Sequence, residues 1–284
     1  MTNEETLHIV TVATHSEGYL PVLEQQVDEH NLKLHKLGIG KKYAGHFMKD
    51  FEMMDFLRNM PPNDIVVFVD GFDSLMLADP GEVLSKFKNF DSKMVLSVEN
   101  VGGLSFIHDA VFEKIDGHYL NSGLYMGRAE FMLNFLEDMY KNEYDTKSNQ
   151  KTWMKHLNRL NNVNKLDGIK FDASSDIFLN HSYTTNNYPI IKEKRIILYD
   201  SKPCFIQGNG RENMSDIIKA TGHSKYDIHR HEFYMNKAKY NTKAIFRTYP
   251  IISYYILFLI ILGFVFGFLI YRRYRNYKSK FLYL

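Results

Sequence analysis

Asp70 and Asp73 close the run Ile65-Val66-Val67-Phe68-Val69, with only Gly71-Phe72 between them. Two carboxylates so spaced are hard oxygen donors, and hard donors suit magnesium or manganese, ions that in turn suit a diphosphate. Asp-Gly-Phe-Asp is also ordinary turn chemistry, because Asp side chains bond their own backbone. Spacing alone leaves both readings open. The five apolar residues ahead of the pair, rich in β-branched types, predict a strand buried on both faces. In an open α/β sheet such a strand delivers its C-terminal end to the crevice where ligands bind.

The elements that must position this pair follow from pattern. Leu7 to Thr14 reads as a first strand and Tyr19 to His30 as a helix, with Leu20, Leu23 and Val27 at helical spacing. Leu32 to Leu37 alternates as a second strand, and Phe47 to Met60 forms a helix stopped by Pro61-Pro62. Asp79 caps a helix that Pro80 begins, and Met94 to Val98 is a further strand ending in Glu99-Asn100. This alternation predicts a parallel sheet covered on both sides. Tyr119 to Gly127 reads as a turn into a short strand, followed by a helix from Ala129 to Tyr140. Residues 142–195 read as polar and less regular, with late short strands at Ile196-Ile197-Leu198 and Cys204-Phe205-Ile206. The expected domains are 1–220 globular, 221–249 a polar linker, 250–271 a membrane span and 272–284 a basic tail.

The 284-residue chain is 45% hydrophobic and 24% charged, enough for one large core. A net charge of +2 without a basic, aromatic-interleaved stripe gives no case for nucleic acid as a partner. A single cysteine, Cys204, excludes an internal disulfide. No basic n-region precedes an apolar stretch at the amino terminus, so no signal peptide is expected. Ile251 to Tyr271 carries no charge and is about one bilayer core long as a helix. The expectation is therefore a single-pass C-terminal anchor in a lipid bilayer, its globular part in the cytosol. Two sequons, at Asn180 and Asn213, weigh toward the luminal side. His223, His229 and His231 fit no standard zinc spacing, and the Gly-x-Gly-x-x-Gly turn of a dinucleotide oxidoreductase is missing after the first strand.

Four segments occur in one order: Val10-Thr11-Val12-Ala13-Thr14, Phe68-Val69-Asp70-x-x-Asp73, Leu120-Asn121-Ser122-Gly123 and Gly208-Asn209-Gly210. This order resembles the glycosyltransferase domain of the procollagen lysyl hydroxylases and, more distantly, the procollagen galactosyltransferases, over roughly residues 7–212. The resemblance implies a GT-A fold, UDP-glucose or UDP-galactose as donor, manganese (or magnesium) as cofactor, and a protein or glycan acceptor of hydroxylysine type. It implies that Asp70 and Asp73 hold the metal, that Phe72 packs on the uracil, and that Val12 and Thr14 line the uridine pocket. It places Lys49 near the donor, Asn121, Ser122 and Gly123 beside the sugar, and Gly208, Asn209 and Gly210 against the diphosphate. Two positions depart from the family. Gln207 stands where the family has its third metal ligand, a His, and Lys147-Ser148-Asn149-Gln150 stands where it has a run of aspartates before a helix. These departures raise a second reading, a non-catalytic module that keeps the fold for binding a nucleotide sugar, glycan or protein.

Overall fold

The structure, a computed structural model, describes residues 5–99, 113–143, 148–181, 190–192, 195–209, 212–223 and 250–281. Two compact units divide the chain, Met1–Phe233 and Tyr234–Leu284.

The first unit is a mixed α/β fold. Strands β1 (Leu7–Val12), β2 (Leu34–Leu37), β3 (Ile65–Val69), β5 (Met94–Val98), β6 (Leu120–Arg128) and β7 (Ile169–Asp172) form one sheet in the order β2-β1-β3-β6-β5-β7. Every residue of β3 is buried, as its unbroken apolar run requires. Helices α1 (Leu20–Glu29) and α3 (Pro80–Asn89) accompany one apolar cluster built on Ile9, Val67 and Val69. Helices α2 (Met48–Leu57), α4 (Ala129–Asn142) and α5 (Asn149–Asn162) accompany the other, around Val66, Phe68 and Trp153. Side chains of β3 alternate between the two clusters, so this strand is the wall between them. Asp79 caps α3 as expected: its Oδ1 accepts from the Glu82 N–H at 2.9 Å.

The sheet departs from the all-parallel expectation at its centre. β6 runs antiparallel to both β3 and β5. Its residues 120–128 are one long strand rather than a turn and a short strand, and all but Arg128 are buried. The register against β5 jumps between Leu96↔Tyr125 and Ser97↔Asn121, which leaves Ser122, Gly123 and Leu124 without partners on that side. Such a bulge re-aims a strand locally. Here it turns Gly123 toward the end of β3, where its carbonyl accepts from the Asp70 N–H at 2.9 Å.

A smaller sheet completes this unit: β4 (Ser74–Met76), β11 (Phe205–Gly208) and β8 (Phe178–His181), in the order β4-β11-β8. β11 is antiparallel to β4 and parallel to β8. A hairpin of β9 (Ile190–Lys192) and β10 (Arg195–Ile197) precedes β11, and helix α6 (Ser215–Ala220) follows it. The stretch read as irregular thus holds a helix and several strands. In α5 the apolar residues Trp153, Met154, Leu157 and Leu160 carry a helical stripe diluted by Lys and Asn, which hid it by composition.

The second unit contains helix α7 (Pro250–Phe281). The expected membrane span is corrected here. Among the described residues no helix is long and apolar enough to cross a membrane. With the expected span go the single-pass anchor, the bilayer contact through Ile251–Tyr271 and the cytosolic placement that rested on them.

Candidate functional site

Asp70 follows β3 directly, and Asp73 immediately precedes β4. The backbone therefore leaves the large sheet at one carboxylate and enters the small sheet at the other. β11 pairs with β4 so that Gln207 lies opposite Ser74, next to Asp73. This register brings the Gln207 amide between the two acids: Nε2 donates to Asp70 Oδ2 and to Asp73 Oδ1, each at 3.2 Å. Its Oε1 is buried and bonded to nothing among the described residues. An orphaned buried amide oxygen is costly, and it is a hard donor like the carboxylates beside it.

Gly123 makes the junction possible. A Cβ there would lie 2.5 Å from Gln207 Oε1, 2.7 Å from its Nε2 and 2.8 Å from Asp70 Oδ2. A side chain here would have to displace the Gln207 amide and the Asp70 carboxylate from one another, and glycine at the bulge lets them meet.

Lys49, in the first turn of α2, donates from Nζ to Asp70 Oδ1 at 2.5 Å. Burial pulls this ammonium down, but Asp70, followed by Asp73 and Asp50, holds it above the ordinary lysine value. Lys49 thus belongs to the site rather than to a solvated helix face. The neighbouring Asp50 was not singled out by sequence reading. It is almost fully buried, accepting from Tyr140 Oη at 2.6 Å and Trp153 Nε1 at 3.1 Å. Burial pushes its carboxyl up to about 6 against these donors. The signal was present in the sequence: Asp50 lies on the same face of α2 as Met53, Met54 and Leu57, a charge in an apolar stripe. Tyr125 is buried with an unbonded hydroxyl, and burial, then the fields of Asp50 and Asp70, raise its ionisation well above the usual phenol value.

A second polar cluster adjoins the first. Glu99, at the end of β5, accepts from Asn121 Nδ2 at 2.9 Å and from Asn209 Nδ2 at 2.5 Å. Asn121 Oδ1 in turn accepts from the Gly123 N–H at 2.7 Å, tying this cluster to the acidic pair. Burial raises the Glu99 carboxyl to about 7, opposed by the two amide donors. Ser122 is buried beside them.

The remaining expected residues are placed as follows. Val12 ends β1 and packs against the α2-side cluster. Thr14 Oγ1 bonds His15 Nδ1 at 2.9 Å, and the His15 ring lies 5.3 Å from that of Phe72, itself half-buried against the core. β1 lies beside β3, so Val12, Thr14 and Phe72 share the rim that holds Asp70. The Gly208 and Asn209 N–H groups already donate to Asp73 O and His181 O, so what faces the cluster is the Asn209 side chain. Gly210, Asn100, Lys147, His229 and His231 lie outside the described residues. His223 is committed elsewhere, to Glu29 and Thr221. Asn180 is not an accessible sequon: it is buried, with Nδ2 bonded to Ser97 Oγ and to Val98 O.

Among the described residues no group of three or more His, Cys, Asp or Glu side chains is placed to hold a metal. The donor set is instead two carboxylates plus one amide oxygen. Oxygen-only donors and an unsatisfied buried Oε1 fit a hard divalent cation.

The fold is a mixed α/β sheet with two acids at the exit of its buried strand β3. The PLOD GT domain profile matches residues 3–243, and the chain belongs to that glycosyltransferase family. It is 28% identical over 227 residues to procollagen-lysine,2-oxoglutarate 5-dioxygenase 1 of Gallus gallus, covering 73% of this chain and 30% of that protein. It is 25% identical over 233 residues to the Homo sapiens multifunctional procollagen lysine hydroxylase and glycosyltransferase LH3, again with 73% and 30% covered. The chain thus spans about a third of the length of these relatives. Among solved structures, a glycosyltransferase involved in glycosylation of the major capsid of PBCV-1 aligns over 78% of this chain and 98% of its own. The TM-score is 0.46 and the identity 10%.

Proposed function

We propose that this chain is a divalent-metal-dependent glycosyltransferase of GT-A type. Its donor is a UDP-hexose, glucose or galactose, and its acceptor a hydroxylysine-type or other protein or glycan hydroxyl. The observation that carries the reading is the convergence of Asp70, Asp73 and the unbonded Gln207 Oε1 at the exit of β3. Bound there, a divalent cation would act as a Lewis acid on the departing diphosphate. The chain's own residues do the rest. Lys49 supplies a fixed positive charge on the same side, already oriented by Asp70. Glu99, held by Asn121 and Asn209, offers carboxylate oxygens to sugar hydroxyls. Phe72, Val12 and Thr14 form the rim for the uridine.

The test is calorimetric titration of UDP into the full chain with manganese, with magnesium and with a chelator, followed by assay of UDP-glucose and UDP-galactose hydrolysis. Metal-dependent UDP binding lost in Asp70→Asn and Asp73→Asn supports the proposal. Binding indifferent to chelator and to both substitutions rejects it.

A second reading, a binding module without turnover, is favoured by one observation. Of the stretch Lys147-Ser148-Asn149-Gln150, which the resemblance aligns with a run of aspartates, the described residues Ser148, Asn149 and Gln150 carry no carboxylate, and the Trp153 that follows is turned to Asp50. Metal-dependent UDP binding without hydrolysis of either sugar nucleotide would favour it.

A further inference from the structure

The amide of Gln207 lies between the two carboxylates and bonds both. Three side chains converge: two carboxylates and an amide whose nitrogen bridges both acids while its oxygen is buried and unbonded. On the adjoining side Gly123 presents no side chain to the amide. A half-turn exchanges the two amide atoms and presents Oε1 to whatever cation the carboxylates attract. Every side-chain donor the described residues bring here is then an oxygen. Cys204 is buried in the core cluster with its thiol pushed up to about 12, and His223 is occupied by Glu29 and Thr221.

Imidazole nitrogen draws a site toward the later transition metals, whereas carboxylate, carbonyl and water ligands suit magnesium, calcium and manganese alike. Resting on the transferase reading above, we propose that Gln207 makes this an all-oxygen cation site that takes magnesium about as readily as manganese. Lys49 sharpens the point. Its Nζ occupies Asp70 Oδ1, so Oδ2, the oxygen now bonded to the Gln207 amide, is the one left to the cation. The ligand that arrives and the bond that breaks are thus on the same residue. Loss of the cation returns the amide nitrogen to the two acids, so the empty and loaded states differ by one side-chain rotation.

The experiment titrates magnesium and manganese separately into the full chain with UDP present, for wild type, Gln207→His, Gln207→Glu and Gln207→Ala. Wild type is expected to bind the two ions within about tenfold of each other. Gln207→His is expected to raise manganese affinity relative to magnesium by about tenfold or more, the scale on which single ligand-shell changes act. Gln207→Glu, which keeps oxygen and adds charge, is expected to tighten both ions with their ratio unchanged, and it carries the test if the His variant does not fold. Pulsed electron paramagnetic resonance with manganese gives a readout independent of affinity: directly bound imidazole nitrogen in Gln207→His and none in wild type. A wild-type preference for manganese above about a hundredfold overturns the proposal. So does an imidazole signal in wild type, or unaltered affinities in Gln207→Ala. Failure of every form to bind either ion overturns the transferase reading as well, and in that way the two failures are told apart.

Discussion

Gly123 is the residue at which the site tolerates least. Alanine there would drive a methyl into the Gln207 amide and the Asp70 carboxylate at separations no real contact shows. Gly123→Ala is expected to abolish metal-dependent UDP binding while costing about 1–3 kcal/mol of stability by overpacking, read by calorimetry alongside urea unfolding. Glu99 makes a second prediction. Its carboxyl titrates near 7, so below that pH one oxygen becomes a donor facing two amide N–H groups, and one hydrogen bond is lost. Donor-sugar hydrolysis should therefore rise with pH through about 7, and Glu99→Gln should flatten that limb of the profile. Burial raises the Asp50 carboxyl in the fold to about 6 against an ordinary 3.8. A raised carboxyl pKa means stability fully present below about pH 4 and lost as pH climbs through 6, at most about 3 kcal/mol. Asp50→Asn should gain on wild type across that window in urea midpoints measured from pH 4 to pH 7.

At the scale of elements, the buried strand β3 and the capped helix α3 were legible, because each carries its own local evidence: an unbroken β-branched run and an Asp-Pro start. The acidic pair was legible for the same reason. What could not be read was β6, whose direction depends on two neighbours in space, and whose Asn-Ser-Gly looks like a turn until a bulge puts it inside a strand. Helix α5 was masked by its many Lys and Asn residues, yet its Trp153 holds Asp50. Trp153→Phe removes that indole donor from a buried carboxylate, and a loss of about 1–3 kcal/mol is expected in chemical denaturation. The loss should shrink below pH 6, where Asp50 is protonated and demands fewer donors.

For the molecule as a whole, the parts of the candidate site come from positions 12 to 209, in both sheets of the first unit. Motif order named most of the residues that converge here, since Asp70, Asp73, Asn121 and Gln207 each sit at the end or bulge of a strand. It could not show that Lys49 pairs with Asp70, nor that Asn180 is interior, because both depend on packing across sheets. The C-terminal segment taught the reverse lesson: an uncharged run is a composition, and among the described residues no helix qualifies to cross a membrane.

Among the described residues β11 is the last strand of the first unit; it carries Gln207, and Asn209 follows it directly. During synthesis, a growing polypeptide that ends before this strand lacks Gln207, the amide that bonds both acids, and Asn209, one of the two donors to Glu99. Capture of a sugar nucleotide would therefore report completion of the unit, and ribosome-stalled chains ending before Phe205 should fail to be retained on immobilised UDP while those extending well beyond α6 are held.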